Sequence, residues 1–132
     1  YVLLGDGEIQ EGIVWEALMS AALYKLANMV ATLDHNGLQN DGKHEDVMTV
    51  APVVEKFQAF GWNVIQIDGH DVEQNLDAFK QERACKGRPT MIVEETIKGK
   101  CVSFMENNAG WHGKAPDEEQ TKQALAELGG EF

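Results

Sequence analysis

The stretch Leu4–Glu11, LGDGEIQE, places a carboxylate between two glycines immediately after the apolar run from Tyr1 to Leu4. A short apolar run that stops at glycine predicts a buried strand entering a tight loop. Beyond the loop, Trp15, Leu18, Met19, Ala22, Leu23 and Leu26 recur at three- and four-residue intervals, which predicts a helix with these residues on its inner face. The segment therefore reads strand, loop, helix. Asp6 falls in the loop, where backbone can approach closely and no neighbouring side chain intervenes.

The pattern continues along the chain. NMVATLDHN carries a second buried strand around Met29 to Leu33, and NGLQNDGK after it is a polar, glycine-punctuated loop. Pro52 suits a first helical turn, Val54 and Phe57 continue on one face, and Gly61 is placed to cap the C-terminus. WNVIQID is a third strand. Asp71 with Gln74 has the spacing of a capping box, opening a helix through about Lys86 whose inner stripe is Val72, Leu76 and Phe79. PTMIVEE gives a fourth strand, a loop runs from about Lys98 to Pro116, and DEEQTKQALAELGG closes as a capped amphipathic helix ending at paired glycines. Strands alternating with helices predict an α/β fold, a parallel sheet with helices on both faces, because parallel neighbours need crossover connections. Without repeat, linker or low-complexity tract, residues 1–132 are expected to form one domain. Tyr1 opens inside a strand with no initiator Met or preceding turn, so that domain is expected to be truncated.

Composition narrows the function. Twenty-two acidic against eleven basic residues give a net charge of −11, a field that repels a nucleic-acid backbone or an anionic membrane. An anionic ligand must then be held locally, by a metal, by backbone N–H groups or by a few cations. Cys85 and Cys101 lack CxxC spacing and clustered histidines, which argues for reduced thiols in a cytoplasmic protein rather than a disulfide framework or zinc site. Neither a membrane-spanning apolar stretch nor a leader pattern is present in the sequence.

In parallel sheets ligands sit beyond the carboxyl ends of the strands. GDGE after the first strand and DHNGLQNDG after the second lie at that edge, so adjacent strands bring Asp6 and Asn36 together. Both offer hard oxygen donors, while Gly5, Gly7 and Gly37 let main-chain groups approach a ligand. A small divalent cation that keeps bonds to phosphate and water suits this inventory better than a soft transition metal. Asp6 thus reads as a magnesium ligand in a phosphate cradle, although an aspartate between glycines is also an ordinary turn signal. His35, His44 and His70 read as structural or solvent-facing, Lys98 and Lys100 as solvated loop residues with phosphate holding as the alternative, and Cys85 as packing.

GDG, about thirty residues, then Asn is also the thiamine diphosphate motif, and GDGEIQEGIVWEAL with LDHNGLQNDG resembles the amino-terminal half of transketolases. DGHDVEQ, TIKGKCVSFMEN and WHGKAP follow in the same order, and the resemblance runs from Tyr1 to about Glu131. It implies that Asp6 and Asn36 are side-chain ligands of Mg2+ or Ca2+, that the Leu38 carbonyl completes the protein's share, and that Gly5 and Gly7 lie against the diphosphate, Gly7 through its N–H. His112 would contact the diphosphate and face the thiazolium end. Glu11 and Glu16 would belong to acidic residues linked to communication between paired active sites near a subunit interface, with Glu11 counted among the catalytic residues; both also read as first-turn acids favoured by the helix dipole.

The implied reaction moves a two-carbon ketol unit from a ketose phosphate to an aldose phosphate on thiamine diphosphate, with the metal anchoring the diphosphate. The implied partner is the transketolase C-terminal subunit or half, which brings the pyrimidine-binding domain and the activating glutamate, in a homo- or hetero-oligomer of the pentose phosphate pathway. The chain alone is expected to be inactive. Another thiamine enzyme, such as a deoxyxylulose phosphate synthase or a dehydrogenase alpha chain, is the second reading, and a fragment that binds no cofactor is the third. Two residues depart from the family pattern: Asn40, where a bulky apolar residue is usual beside the thiazolium ring, and Cys101, where glycine is usual.

Overall fold

A computed structural model describes residues 1–130. In chain order the elements are β1 (Val2–Gly5), α1 (Gly12–Leu23), β2 (Val30–His35), β3 (Leu38–Gln39), β4 (Gly42–Lys43), α2 (His44–Val47), α3 (Val53–Ala59), β5 (Asn63–Asp68), α4 (Val72–Ala84), β6 (Thr90–Glu95) and α5 (Glu118–Glu127). Short 3-10 turns occur at Glu8–Gln10 and Ala109–Trp111. Glu131, the last residue of the resemblance, and Phe132 lie outside the described residues.

The four expected strands form one all-parallel sheet in the order β1-β2-β6-β5, as the alternation of strand and helix predicts. Alternate side chains serve its two faces. Ala31, Leu33, Met91 and Val93 join Ile9, Leu18, Ala21, Val53, Phe57 and Trp62 beneath α1 and α3, and Val30, Ile92 and Ile67 meet Ala78 of α4 on the other face. The Trp62 indole N–H donates to the Leu18 carbonyl at 3.0 Å, so this buried aromatic satisfies its polar handle. The loop expected at NGLQNDGK holds a small antiparallel hairpin, Leu38 opposite Lys43 and Gln39 opposite Gly42.

Two inner stripes differ from the sequence expectation. On α1, Leu18 and Ala21 are buried, with Val14, Trp15 and Ala22 packed beside them, whereas Met19 and Leu23 are exposed and Leu26 lies beyond the helix end. This helix is apolar nearly all round, so periodicity alone does not single out a face. On α4, Val72 and Leu76 are exposed, at 70% and 57%, while Ala78 and Glu82 are buried and Phe79 packs at the margin. The small Ala78 lets the helix approach the sheet, and Asn75, on the same side, bonds the Gly69 and Asp71 carbonyls at 3.1 and 2.8 Å. Counting large apolar residues therefore selected the wrong side of the helix.

The helix ends follow local chemistry. Asp71 caps α4 through the N–H groups of Glu73 and Gln74, but Gln74 turns its side-chain oxygen to the Asp68 N–H, so the expected box is half formed. The reciprocal box is complete at Asp117 and Gln120 on α5. Pro52 precedes α3 as its N-cap, one position earlier than a first-turn residue. Gly61, at φ 87°, ends α3 with its N–H on the Gln58 carbonyl and that of Trp62 on the Phe57 carbonyl, the paired bonds of a Schellman cap.

Phe57 is fully buried and stacks on Trp15, with ring centroids 5.6 Å apart. Phe57→Ala should cost about 3–5 kcal/mol in urea unfolding. Leu76→Ala, on the solvent side of α4, should change stability by less than about 0.5 kcal/mol; a comparable loss at both sites would contradict the packing.

Candidate functional site

Parallel pairing of β1 with β2 sets Gly5 opposite Asp34, so Asp6 and the His35-Asn36-Gly37 turn leave the sheet side by side. The Asp6 side chain is fully buried, which for a carboxylate demands partners. One oxygen, Oδ2, accepts the Gly37 N–H at 2.6 Å, and Oδ1 lies 2.6 Å from His35 Nδ1 and 3.7 Å from His44 Nδ1. Gly37 adopts φ 73°, a left-handed conformation that glycine takes without a Cβ penalty, and this aims its N–H back at β1. Hydrogen bonding to Asp6 holds the His35 imidazole above its ordinary pKa, against the opposing effect of its own burial.

Asn36 is fixed in the same way. Its Oδ1 accepts the Leu38 N–H at 2.9 Å and its amide donates to Asp34 Oδ2 at 3.1 Å, while Thr96 Oγ1 holds the other Asp34 oxygen. Gly5, Asp6, Gly7, Glu11, Asn36, Leu38, Asn40 and His112 all line one cleft of about 520 Å3 at the carboxyl edge of the sheet. The side-chain and backbone positions singled out in the sequence thus meet in one place. Glu11 reaches it from the N-cap of α1, but Glu16 does not; it lies on the exposed side of that helix. His112 arrives from the far end of the loop after β6, where it closes the 3-10 turn at Ala109–Trp111.

That loop is held by its own contacts. Val102 is buried, the Glu106 carboxylate accepts the Cys101 N–H at 2.8 Å, and the Trp111 indole donates to the Phe104 carbonyl at 2.8 Å. Cys101 stands at φ 69°, a left-handed conformation that favours glycine, so the cysteine carries a local backbone cost here.

The donor set suits a hard dication. Each Asp6 oxygen has one protein partner and keeps a free lone pair, and the pinning by His35 and Gly37 is the kind of support that orients metal ligands. Gln39 Oε1 is buried in the cleft wall without a hydrogen-bond partner, an acceptor that a metal-bound water would satisfy. Among the described residues, no group of three His, Cys, Asp or Glu side chains is arranged to hold a metal, so the fit is to one carboxylate with amide and carbonyl oxygens. Sequence reasoning gave no part in the site to His35, Asp34 or Gln39, which border the cleft or hold Asp6, and read Lys98, which also lines the cleft, as a solvated loop residue ahead of a phosphate contact. Only the position of His35 directly before Asn36 pointed toward it. His70 is structural as expected, its Nε2 accepting the Ile97 N–H at 2.8 Å.

The family described as "Transketolase, thiamine diphosphate binding domain" matches residues 1–131, and the chain belongs to this family. The chain is 41% identical over 128 residues to the 6-deoxy-6-sulfo-D-fructose transketolase subunit SqwG of Clostridium sp. (strain MSTE9), covering 97% of this chain and 46% of that protein. It is 40% identical to one of the subunits of the apulose-4-phosphate transketolase of Phocaeicola vulgatus, with the same coverage, and 40% identical to human transketolase, of which it covers 20%. Among solved structures, Campylobacter jejuni transketolase superposes with a TM-score of 0.89 at 33% identity, covering 98% of this chain and 20% of that one. The Leishmania mexicana transketolase gives 0.91 at 31% identity, covering 99% and 20%. The chain therefore spans about half the length of the curated subunits it matches.

Cys101→Gly should relieve the left-handed strain and raise the unfolding free energy by about 0.5–1 kcal/mol, less whatever glycine's extra freedom returns to the unfolded chain. Denaturant unfolding reads this directly, and a destabilised glycine variant would show that the cysteine side chain holds the loop.

Proposed function

We propose that this chain is the cofactor-anchoring part of a transketolase and that it acts with a C-terminal subunit or half. The observation that carries the reading is the meeting of Asp6 and Asn36 in one cleft, on neighbouring parallel strand ends. Asp6, the Asn36 amide oxygen and the Leu38 carbonyl would hold Mg2+ or Ca2+, and the metal would carry the diphosphate of thiamine diphosphate into a chain whose overall charge repels it. Gly5 and Gly7 leave room for the phosphates beside the backbone. His112 lines the same cleft and would contact the diphosphate and face the thiazolium end of the site, and Glu11 lines it from the start of α1.

When bound, the cofactor supplies the electron sink for transfer of a two-carbon ketol unit from a ketose to an aldose. The chain's own part is position. A buried carboxylate with both oxygens already hydrogen-bonded cannot swing, so a ligand tethered to it is held within the small tolerance that oriented catalysis requires. The relatives named for 6-deoxy-6-sulfo-D-fructose and apulose-4-phosphate support sugars bearing an anionic group as substrates. Their description as subunits, and the half-length match, support a partner chain within a homo- or hetero-oligomer. No helix among the described residues is long and apolar enough to cross a membrane. We place the protein in the cytoplasm, in sugar phosphate metabolism.

Calorimetry with thiamine diphosphate, with and without Mg2+ and with and without the C-terminal half, tests the reading. Asp6→Ala should weaken magnesium-dependent binding by about 100-fold or more, and an unchanged isotherm would remove Asp6 from the site. The chain by itself should turn over no ketose phosphate with an aldose acceptor; measurable ketol transfer by the purified chain would overturn the two-part assignment.

A further inference from the structure

Two buried side-chain polar atoms among the described residues lack a hydrogen-bond partner, Gln39 Oε1 and His44 Nε2, and of these two residues it is Gln39 that lines the cleft. A buried amide oxygen left unpaired is destabilising, so one kept in the wall of a ligand site calls for a donor. Neighbouring protein groups do not supply it. The Gly5 N–H is taken by Glu8, the Gly37 N–H by Asp6, the Leu38 N–H by the Asn36 side chain and the Asn36 amide by Asp34.

Gln39 sits where the two segments bearing the proposed metal ligands meet. It follows Leu38 on β3, opposite Gly42 of β4, and a Cβ built on Gly7 would lie 3.5 Å from the Gln39 Cβ and 3.9 Å from its Oε1. The side chain therefore reaches from the hairpin to the loop that carries Asp6. Its need for a donor narrows the partner. Ionised diphosphate oxygens offer only acceptors, whereas a water held by a dication carries O–H groups that the charge polarises. Magnesium dehydrates reluctantly and keeps water beside its carboxylate and phosphate ligands.

We propose that Gln39 positions the dication through water: its Oε1 accepts a hydrogen bond from a metal-bound water, and this ties the β3-β4 hairpin to the Asp6 loop when the site is filled. The proposal rests on the proposed function and adds to it a residue that acts on the metal without ligating it. Because the oxygen is unpaired in the absence of metal, removing it has different effects on the two states. Metal affinity falls, while the metal-free protein loses nothing. A glutamine with a merely structural role would cost the metal-free protein stability as well.

The test compares wild type, Gln39→Leu and Gln39→Glu in the complete protein with its C-terminal half, using Mn2+ in the presence of pyrophosphate as the probe. Gln39→Leu should weaken Mn2+ binding about tenfold or more, and Gln39→Glu, which keeps an acceptor oxygen, should recover part of the loss. Electron spin-echo modulation in D2O should detect water on the Mn2+ bound to wild type. Urea unfolding without metal should give Gln39→Leu a midpoint equal to or above that of wild type. Wild-type Mn2+ affinity in Gln39→Leu overturns the inference, as does a lowered metal-free midpoint or a bound Mn2+ that carries no water. In those cases wild type still binds the metal and the proposed function stands; a wild type that takes no Mn2+ with pyrophosphate sinks the proposed metal site, and the inference with it.

Discussion

A buried carboxylate with two fixed partners organises this molecule. Asp6 leaves β1 at the carboxyl edge of the sheet and meets the Gly37 N–H and the His35 ring from the next strand end. Its burial depends on both, because an ionised carboxylate enters an interior only when hydrogen-bonded or paired. The parallel register of β1 with β2 supplies those partners, and the hydrophobic layer under α1 and α3 keeps that register in place. Fold and site are therefore one arrangement: a slip of one residue between these strands would bury the wrong faces and leave Asp6 without its hydrogen bonds.

The cleft shows a division between what is rigid and what is free. Asp6, Asn36 and Asp34 have their side chains committed to neighbours, and the Gly5 N–H is taken by Glu8 at 2.8 Å. Gln39 Oε1 is without a partner, and Lys98 pairs with no acid among the described residues. The committed groups define a shape and still offer the second lone pairs of their fixed oxygens, while the uncommitted ones can gain interactions without breaking any.

Much of this was legible in the sequence, for physical reasons that differ by element. The four strands stood out as apolar runs: MIV reads so because β6 is buried on both faces, whereas YVLL, expected as a buried strand, forms the sheet edge with Tyr1, Val2 and Leu3 exposed. The convergence of Asp6 and Asn36 followed from placing two loops at one sheet edge. The inner faces of α1 and α4 did not follow, because α1 is apolar on most sides and α4 packs through Ala78 and Asn75 rather than its large residues. His35 was hidden because its part is to hold Asp6, a partner twenty-nine positions away that no local pattern reveals. The place of Lys98 depended on a turn braced by Met105 and His70, which only the folded loop displays.

The central pairing of the sheet has a further consequence for how the chain folds. Val30 of β2 lies beside Thr90 of β6, so this ladder joins segments some sixty residues apart, and such distant parallel pairing closes slowly. Asp34 reaches its Thr96 partner only after that closure, so the cleft belongs to the finished topology and not to any early helical or hairpin fragment. A ligand that recognises the finished cleft has no purchase on the unfolded chain, and its concentration then enters the folding equilibrium by mass action. Supply of the small molecule would in this way set how much of the polypeptide survives, as well as how much of it works.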